Sequence, residues 1–206
     1  MMQGPLSDED RRDWLRLSKS ENVGPSTFRT LLARYGTAAE ALRALPELAR
    51  KGGLGRAPRL YGREAAERDI ANAEALGARF IALCEAEFPP LLRETDTRPA
   101  LLCVKGDASL LTRSGVAIVG ARNASAIARK FTRQLAKEIG GEGHAIVSGL
   151  ARGIDTAAHE ASLDTGTIAV VAGGIDVIYP PENEALHAAI GERGVIVSEM
   201  TPGTVP

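Results

Sequence analysis

The sequence predicts an α/β protein in which a small all-helical domain precedes a parallel sheet, and three observations carry that expectation. Gly115-Val-Ala-Ile-Val-Gly-Ala-Arg122 holds an apolar run too short for a helix that breaks into a glycine turn. Three further runs, His144–Ser148, Thr167–Gly174 and Gly194–Glu199, repeat the arrangement with helical periodicity between them. Up to about Ala75 the chain is instead rich in Ala, Leu, Arg and Glu and nearly free of strand-like runs. Strands alternating with helices pair in parallel through right-handed crossovers, so the glycine turns all emerge on one edge. Open α/β sheets bind ligands at that edge.

With 206 residues, 44% of them hydrophobic, the chain has enough material for a proper core and is too long for one small domain. Two domains are expected, residues 1–76 and residues 77–206, divided near Gly77 where helical composition gives way to apolar runs. The formal net charge of −1 carries no overall basic signature, so any nucleic-acid binding must rest on local clusters. Cys84 and Cys103 sit in apolar runs without CxxC spacing, which predicts buried reduced thiols and no metal site. The sequence has no apolar run of membrane-spanning length and no charged start followed by an apolar signal core, so a soluble, cytoplasmic protein is expected.

In the helical domain, Trp14, Leu15 and Leu17 should anchor the first helix. Asn22-Val-Gly-Pro-Ser26 follows as a turn, and Phe28, Leu31, Leu32 and Tyr35 recur at helical spacing up to Gly36. This unit resembles helix-hairpin-helix and sterile-alpha-motif-like modules, whose glycine turn can bring backbone N–H groups close to a DNA phosphate. Simple punctuation of two helices by Gly24-Pro25 explains the pattern as well. Arg50, Lys51, Arg56, Arg59 and Arg63 form a basic run around the glycines at 52, 53 and 55, which also fits a solvated loop. Residues Ala78–Cys84 and Ala100–Lys105, separated by Phe88-Pro-Pro90, read as strands added to the sheet of the second domain.

Val116–Val119 is expected to be a central parallel strand covered on both faces. After Gly120, the residues Ile127, Phe131, Leu135 and Ile139 should lay one apolar stripe on the sheet until Gly140-Gly141 stops the helix. Arg129, Lys130, Arg133 and Lys137 oppose that stripe and read as a solvated face able to assist DNA. The turn carries Arg122 and Asn123, and a strand that hands a glycine turn to a helix N-terminus offers free N–H groups to anions. The second turn, Ser148-Gly-Leu-Ala-Arg-Gly153, again carries glycine and an arginine, Arg152, before a helix through His159 and Leu163. In the third, Gly173-Gly174 leads through Asp176 to Tyr179-Pro-Pro181 and a helix through Leu186 and Ile190.

What the turns lack constrains the ligand. The first does not complete G-x-G-x-x-G, and the second strand ends in Ser148-Gly149 where a dinucleotide site needs an acid, so NAD is not expected. G-x-x-x-x-G-K-[ST] is also missing. An edge with anion-holding turns and two arginines suits a row of phosphates or one phosphorylated sugar. Arg122 at the leading turn reads as a phosphate contact, against the plainer reading of a helix-start arginine paired with a carboxylate. Asp155 and His159 share a helix face, and a structural hydrogen bond is preferred to an acid–base pair because no Ser or Cys nucleophile is evident at a matching turn. Catalytic residues, metals and cofactors are therefore not assigned. Tyr179 is the best candidate for base stacking, although packing beneath Pro180 is the expected role.

The set VAIVGARNAS, VSGLARGIDTAAH, TIAVVAGGIDVIYPPEN and VIVSEM resembles the DNA processing protein A (DprA/Smf) family over most of residues 78–206, and the helical start fits the same family. The resemblance implies an extended Rossmann-like sheet behind a sterile-alpha-motif-like (helix-hairpin-helix) domain. It further implies a bacterial cytosolic homodimer that binds and protects incoming single-stranded DNA during natural transformation, loads RecA recombinase and catalyses no reaction. Gly120 and Arg122 match the family's glycine–arginine turn. Ser148, Gly149, Arg152, Gly153, Asp155 and His159 match its second motif, and Gly173, Gly174 and Asp176 its third. The chain departs from the family at Pro206, where members continue into a basic Phe-Pro-x-Arg-Asn-Arg segment and often a winged helix, so a truncated chain is expected. A phosphoribohydrolase of the lonely-guy type shares the fold class, but Ala-Gly-Gly-Ile-Asp-Val stands where its PGGxGTxxE turn supplies the catalytic glutamate.

Overall fold

The structure, a computed structural model, describes residues 4–51, 56 and 58–206. A helical segment is followed by an α/β sheet, as expected, but the sheet is mixed where a parallel one was expected, because one strand runs antiparallel to its neighbour. The chain packs as two compact units, residues 1–74 with 80–102, and residues 75–79 with 103–206.

In the first unit, helices α1 (Asp8–Ser18), α2 (Pro25–Tyr35), α3 (Ala38–Lys51) and α4 (Arg63–Ala75) follow one another. Ser7 caps α1 by accepting the Asp10 N–H at 3.1 Å, and Asp8, Glu9 and Asp10 complement the positive end of the helix. Trp14, Leu15, Leu17, Phe28, Leu31 and Leu32 are all buried, and Trp14 meets Phe28 edge to face at 5.1 Å. Pro25 opens α2 at a position whose N–H would go unused, and Gly36 closes it at φ +79°. The glycines at 52, 53 and 55 of the basic run lie outside the described residues.

Residues 80–102, expected in the second domain, join the helical unit instead. Glu85 ties this stretch to the helical segment, since its carboxylate takes two hydrogen bonds from Arg11 at 2.6 and 2.9 Å and accepts the N–H groups of Ala82 (2.7 Å) and Leu6 (3.2 Å). A buried carboxylate with four donors outweighs the sequence's change of composition at Gly77. The short helix α5 (Pro90–Arg93) lies within this stretch, while strands β1 (Ala78–Ala82) and β2 (Leu101–Gly106) cross its two ends. Cys103 is buried, Cys84 half-buried, and neither is in a disulfide.

The second unit alternates β3 (Gly115–Ala117), α6 (Ala126–Gly141), β4 (Ala145–Ser148), α7 (Ile154–Ser162), β5 (Thr167–Val170), α8 (Glu184–Arg193) and β6 (Val195–Ser198). The six strands run in the order β1-β2-β6-β5-β4-β3. Strands β3 to β6 are parallel, and β2 runs antiparallel to β6 with Cys103 opposite Ser198. Ala136, Ile146 and Ala158 form a buried cluster under Ile118, Ile139 and Ala161, where small residues let α6 and α7 approach β4 closely.

Two expectations are corrected here. β3 is the edge strand, not a central one, and Val119 just beyond it is 74% exposed. A short apolar run reports burial potential but does not say which strands stand beside it. The α6 stripe does not lie flat on the sheet: Ile127 and Phe131 are 83% and 64% exposed, while Leu135 and Ile139 are half-buried. At 3.6 residues per turn a repeat of four drifts by about 40° a step, so three steps rotate the stripe by about 120°. The face turned to the core is carried by Thr132, Ala136 and Gly140.

Candidate functional site

The loops after β3 and β4 are locked together by glycines that admit close backbone approach. A Cβ at Gly153, which has φ +84°, would run into the carbonyl oxygens of Ala121 and Arg122. One at Gly120 would sit 2.7 Å from Ile154 Cγ1. The Ile154 N–H donates to Ala121 O at 3.3 Å across the same seam, and Ser148 Oγ donates to Ile118 O at 2.6 Å where the two strands end. The side chains that follow, Arg122 and Arg152, are thereby delivered to one place.

That place is an open cleft of about 440 Å³ lined by Arg122, Asn123, Ala124, Arg129, Arg152, Gly153, Thr156 and Asn183. Three guanidinium groups and no carboxylate are among the lining residues. Arg152 reaches Glu182 only at 3.8 Å, with both side chains more than half exposed, so the pair is loose and solvent-screened. Ser125 caps α6 by accepting the Ala128 N–H at 3.1 Å, whereas no side chain caps α7, whose N-cap residue Gly153 lines the cleft. Two of the first N–H groups of α7 are already taken, Ile154 by Ala121 O and Thr156 by Ala151 O, so the cleft's suitability for an anion rests on its guanidinium groups.

Of the residues singled out from sequence, Arg122, Asn123, Arg152 and Gly153 line the cleft, while Gly120, Ser148 and Gly149 build its frame. Asp155 and His159 do not meet as an acid–base pair. The Asp155 carboxylate accepts the N–H groups of Gly149 (3.1 Å) and Ala151 (3.4 Å), holding the second loop. His159 is fully buried with Nδ1 2.7 Å from Thr167 Oγ1, and burial pushes its imidazole down to about 4. Gly173, Gly174 and Asp176 are not among the cleft's lining residues. Gly174 N–H donates to Thr204 O at 2.7 Å, Gly173 O accepts from Ser198 Oγ at 2.6 Å, and Asp176 accepts the Gly203 N–H at 2.8 Å, so this turn supports residues 198–204. Tyr179 is 60% exposed instead of packed beneath Pro180.

Ala124, Arg129, Thr156 and Asn183 are the lining residues that sequence reasoning did not assign to the site. In the sequence Arg129 reads only as part of a solvated helix face able to assist DNA. A place one turn inside α6 is the signal that would have separated it from Arg133, which pairs with Glu160 at 2.9 Å. Among the described residues no helix is long and apolar enough to cross a membrane, and no group of His, Cys, Asp and Glu could hold a metal ion.

Comparison with known proteins places these features in a family. Residues 79–206 match the family model described as DNA recombination-mediator protein A, and residues 8–72 match the DprA-like N-terminal HHH domain. DNA processing protein DprA of Bacillus subtilis is 39% identical over 133 residues, 63% of this chain and 45% of the relative. Protein Smf of Synechocystis is 29% identical over 215 residues, 98% of this chain and 54% of the relative. The chain thus spans about half the length of these relatives. The X-ray structure of DprA from Streptococcus pneumoniae superposes with a TM-score of 0.71 at 28% identity, covering 100% of this chain and 71% of that one. DprA from Helicobacter pylori, solved to describe its single-stranded DNA binding mode, gives a TM-score of 0.58 at 31% identity over 63% of this chain and 58% of that one.

Proposed function

Because the chain belongs to the DNA recombination-mediator protein A family, we propose that its arginine cleft holds the phosphates of single-stranded DNA in a non-catalytic, DNA-processing role. The observation that carries the reading is the convergence of Arg122, Arg129 and Arg152 on one open cleft free of lining carboxylates. Guanidinium groups at such a cleft read the backbone and not base edges, which favours binding without sequence preference. The solved relative from Helicobacter pylori, a protein with a single-stranded DNA binding mode, supports the same ligand. Exposed Tyr179 adds a surface on which a base can stack.

The same proposal includes protection of incoming strands during transformation, loading of RecA recombinase, a homodimeric assembly and action in the bacterial cytosol, as the family resemblance implies. A binder is favoured over a phosphoribohydrolase because Asp155, the carboxylate of the second loop, is committed to two backbone N–H groups. The test is fluorescence anisotropy with oligo-dT and a duplex of equal length at matched salt. Tighter binding of the single strand is expected, and equal or tighter duplex affinity overturns the reading.

A further inference from the structure

Asn183 occupies the N-cap position of α8, where an asparagine ordinarily accepts an N–H of its own helix, yet its side chain makes no capping bond. It reaches instead into the loop after β4. Its Nδ2 donates to Leu150 O at 2.9 Å and to Thr156 Oγ1 at 3.0 Å, and the Thr156 hydroxyl donates to Ala151 O at 2.8 Å. From the other side Asp155 takes the N–H groups of Gly149 and Ala151. Between these two clamps Leu150 is held fully buried at φ +56°, a left-handed conformation that a leucine does not adopt without support. Arg152 follows two residues later with a side chain 56% exposed.

Resting on the reading of the cleft as a phosphate site, we propose that Asn183 is the positioning residue that fixes the Leu150–Ala151 backbone and so sets Arg152 toward its ligand. Asn183 is 5% exposed and spends both amide hydrogens on protein acceptors, so it has no donor left for a phosphate. Its contribution passes through the loop. Asp155 alone cannot supply it, because a carboxylate only accepts hydrogen bonds and leaves the Leu150 carbonyl untied, while Thr156 holds the Ala151 carbonyl through its N–H at 3.1 Å and its hydroxyl.

The experiment compares Asn183→Ala, Arg152→Ala and the double variant in the full chain, by oligo-dT anisotropy across a salt series. Each single variant is expected to lose affinity about tenfold, the size of one charge-assisted hydrogen bond. Each should also reduce the slope of log affinity against log salt by about 0.7. The double variant should be no weaker than either single one, because the two residues act through one contact. Hydrogen exchange over residues 149–153 should quicken in Asn183→Ala. Thr156→Val, which keeps the side-chain volume, should shift exchange and affinity in the same direction if Asn183→Ala folds poorly. Additive losses, or a lowered melting temperature with an unchanged salt slope and unchanged loop exchange, overturn the proposal. Failure of the wild-type chain to bind oligo-dT sinks the single-stranded DNA reading alone, since exchange at 149–153 still decides whether Asn183 holds the loop.

Discussion

The two units use the same side chain for opposite purposes. In the first, Arg11 is four-fifths buried and grips Glu85, Arg12 contacts Glu9, Asp13 and Glu67, and Arg16 pairs with Asp13 at 3.1 Å. In the second, Arg122, Arg129 and Arg152 line a cleft with no carboxylate among its walls. An arginine neutralised at short range holds the fold together, whereas one set at an open cleft without lining carboxylates leaves its guanidinium accessible. Net charge conceals this division, because paired and unpaired guanidinium groups count alike in the sum.

The sharpest way to break the comparison is Arg11→Ala. It leaves the Glu85 carboxylate buried without its cation, and a loss of roughly 3 kcal/mol from the first unit is expected. Trp14, the single tryptophan, lies in that unit, so its fluorescence during denaturation reads the loss directly. DNA affinity of the folded variant should be unchanged, and a fall in affinity at full stability would reverse the assignment of roles.

Acid should separate the units next. The His159 imidazole takes a proton near 6.5 in the unfolded chain but only near 4 in the fold, and burial likewise lowers His187. Between those values the unfolded state binds more protons, so the second unit's stability is full above about 6.5 and declines as pH falls toward about 4. Glu85 behaves differently. Burial raises its carboxyl, but hydrogen bonds from Arg11 and Ala82 outweigh this and leave it lowered, so its stabilisation is lost only as pH falls below the ordinary carboxylate range. Thermal melts across this range should show the circular dichroism transition shifting before the Trp14 signal does. The reverse order would contradict the account.

Arg122→Ala should weaken oligo-dT binding about tenfold, lower the salt slope by about 0.7 and leave the melting temperature in place. Lysine should restore the charge only in part, since an ammonium lacks the planar two-pronged geometry. A lowered melting temperature with an unchanged slope would move Arg122 into the class of Arg11. The smallest effect belongs to Glu21, held down to about 2 by Arg56 and the Arg59 N–H on an exposed surface. Glu21→Gln should leave the melting temperature within scatter, because solvent screens such a pair. A clear drop would show that exposed pairs also hold the first unit.

Strand and helix order, the four parallel strands and the pairing of Arg122 with Arg152 were legible in the sequence. Each is written in local chemistry: apolar runs bounded by glycine, helical periodicity, and cations beside turns. Arg129 and Asn183 were not legible as site residues, because their roles depend on which helix face meets α7 and which loop lies across from α8. Gly173-Gly174 shows the converse, since an identical turn signal in sequence serves residues 198–204 in space. The edge placement of β3 was likewise outside the reach of a linear pattern.

The sequence by itself determined the elements and the chemistry available at their ends, since those follow from interactions within a few residues. Only the tertiary structure decided which arginines are neutralised, which glycines are pressed between loops and which asparagine braces a neighbour's backbone. Those outcomes depend on distances between residues that are tens of positions apart, as Asn183 and Leu150 are, and no spacing in the chain encodes them.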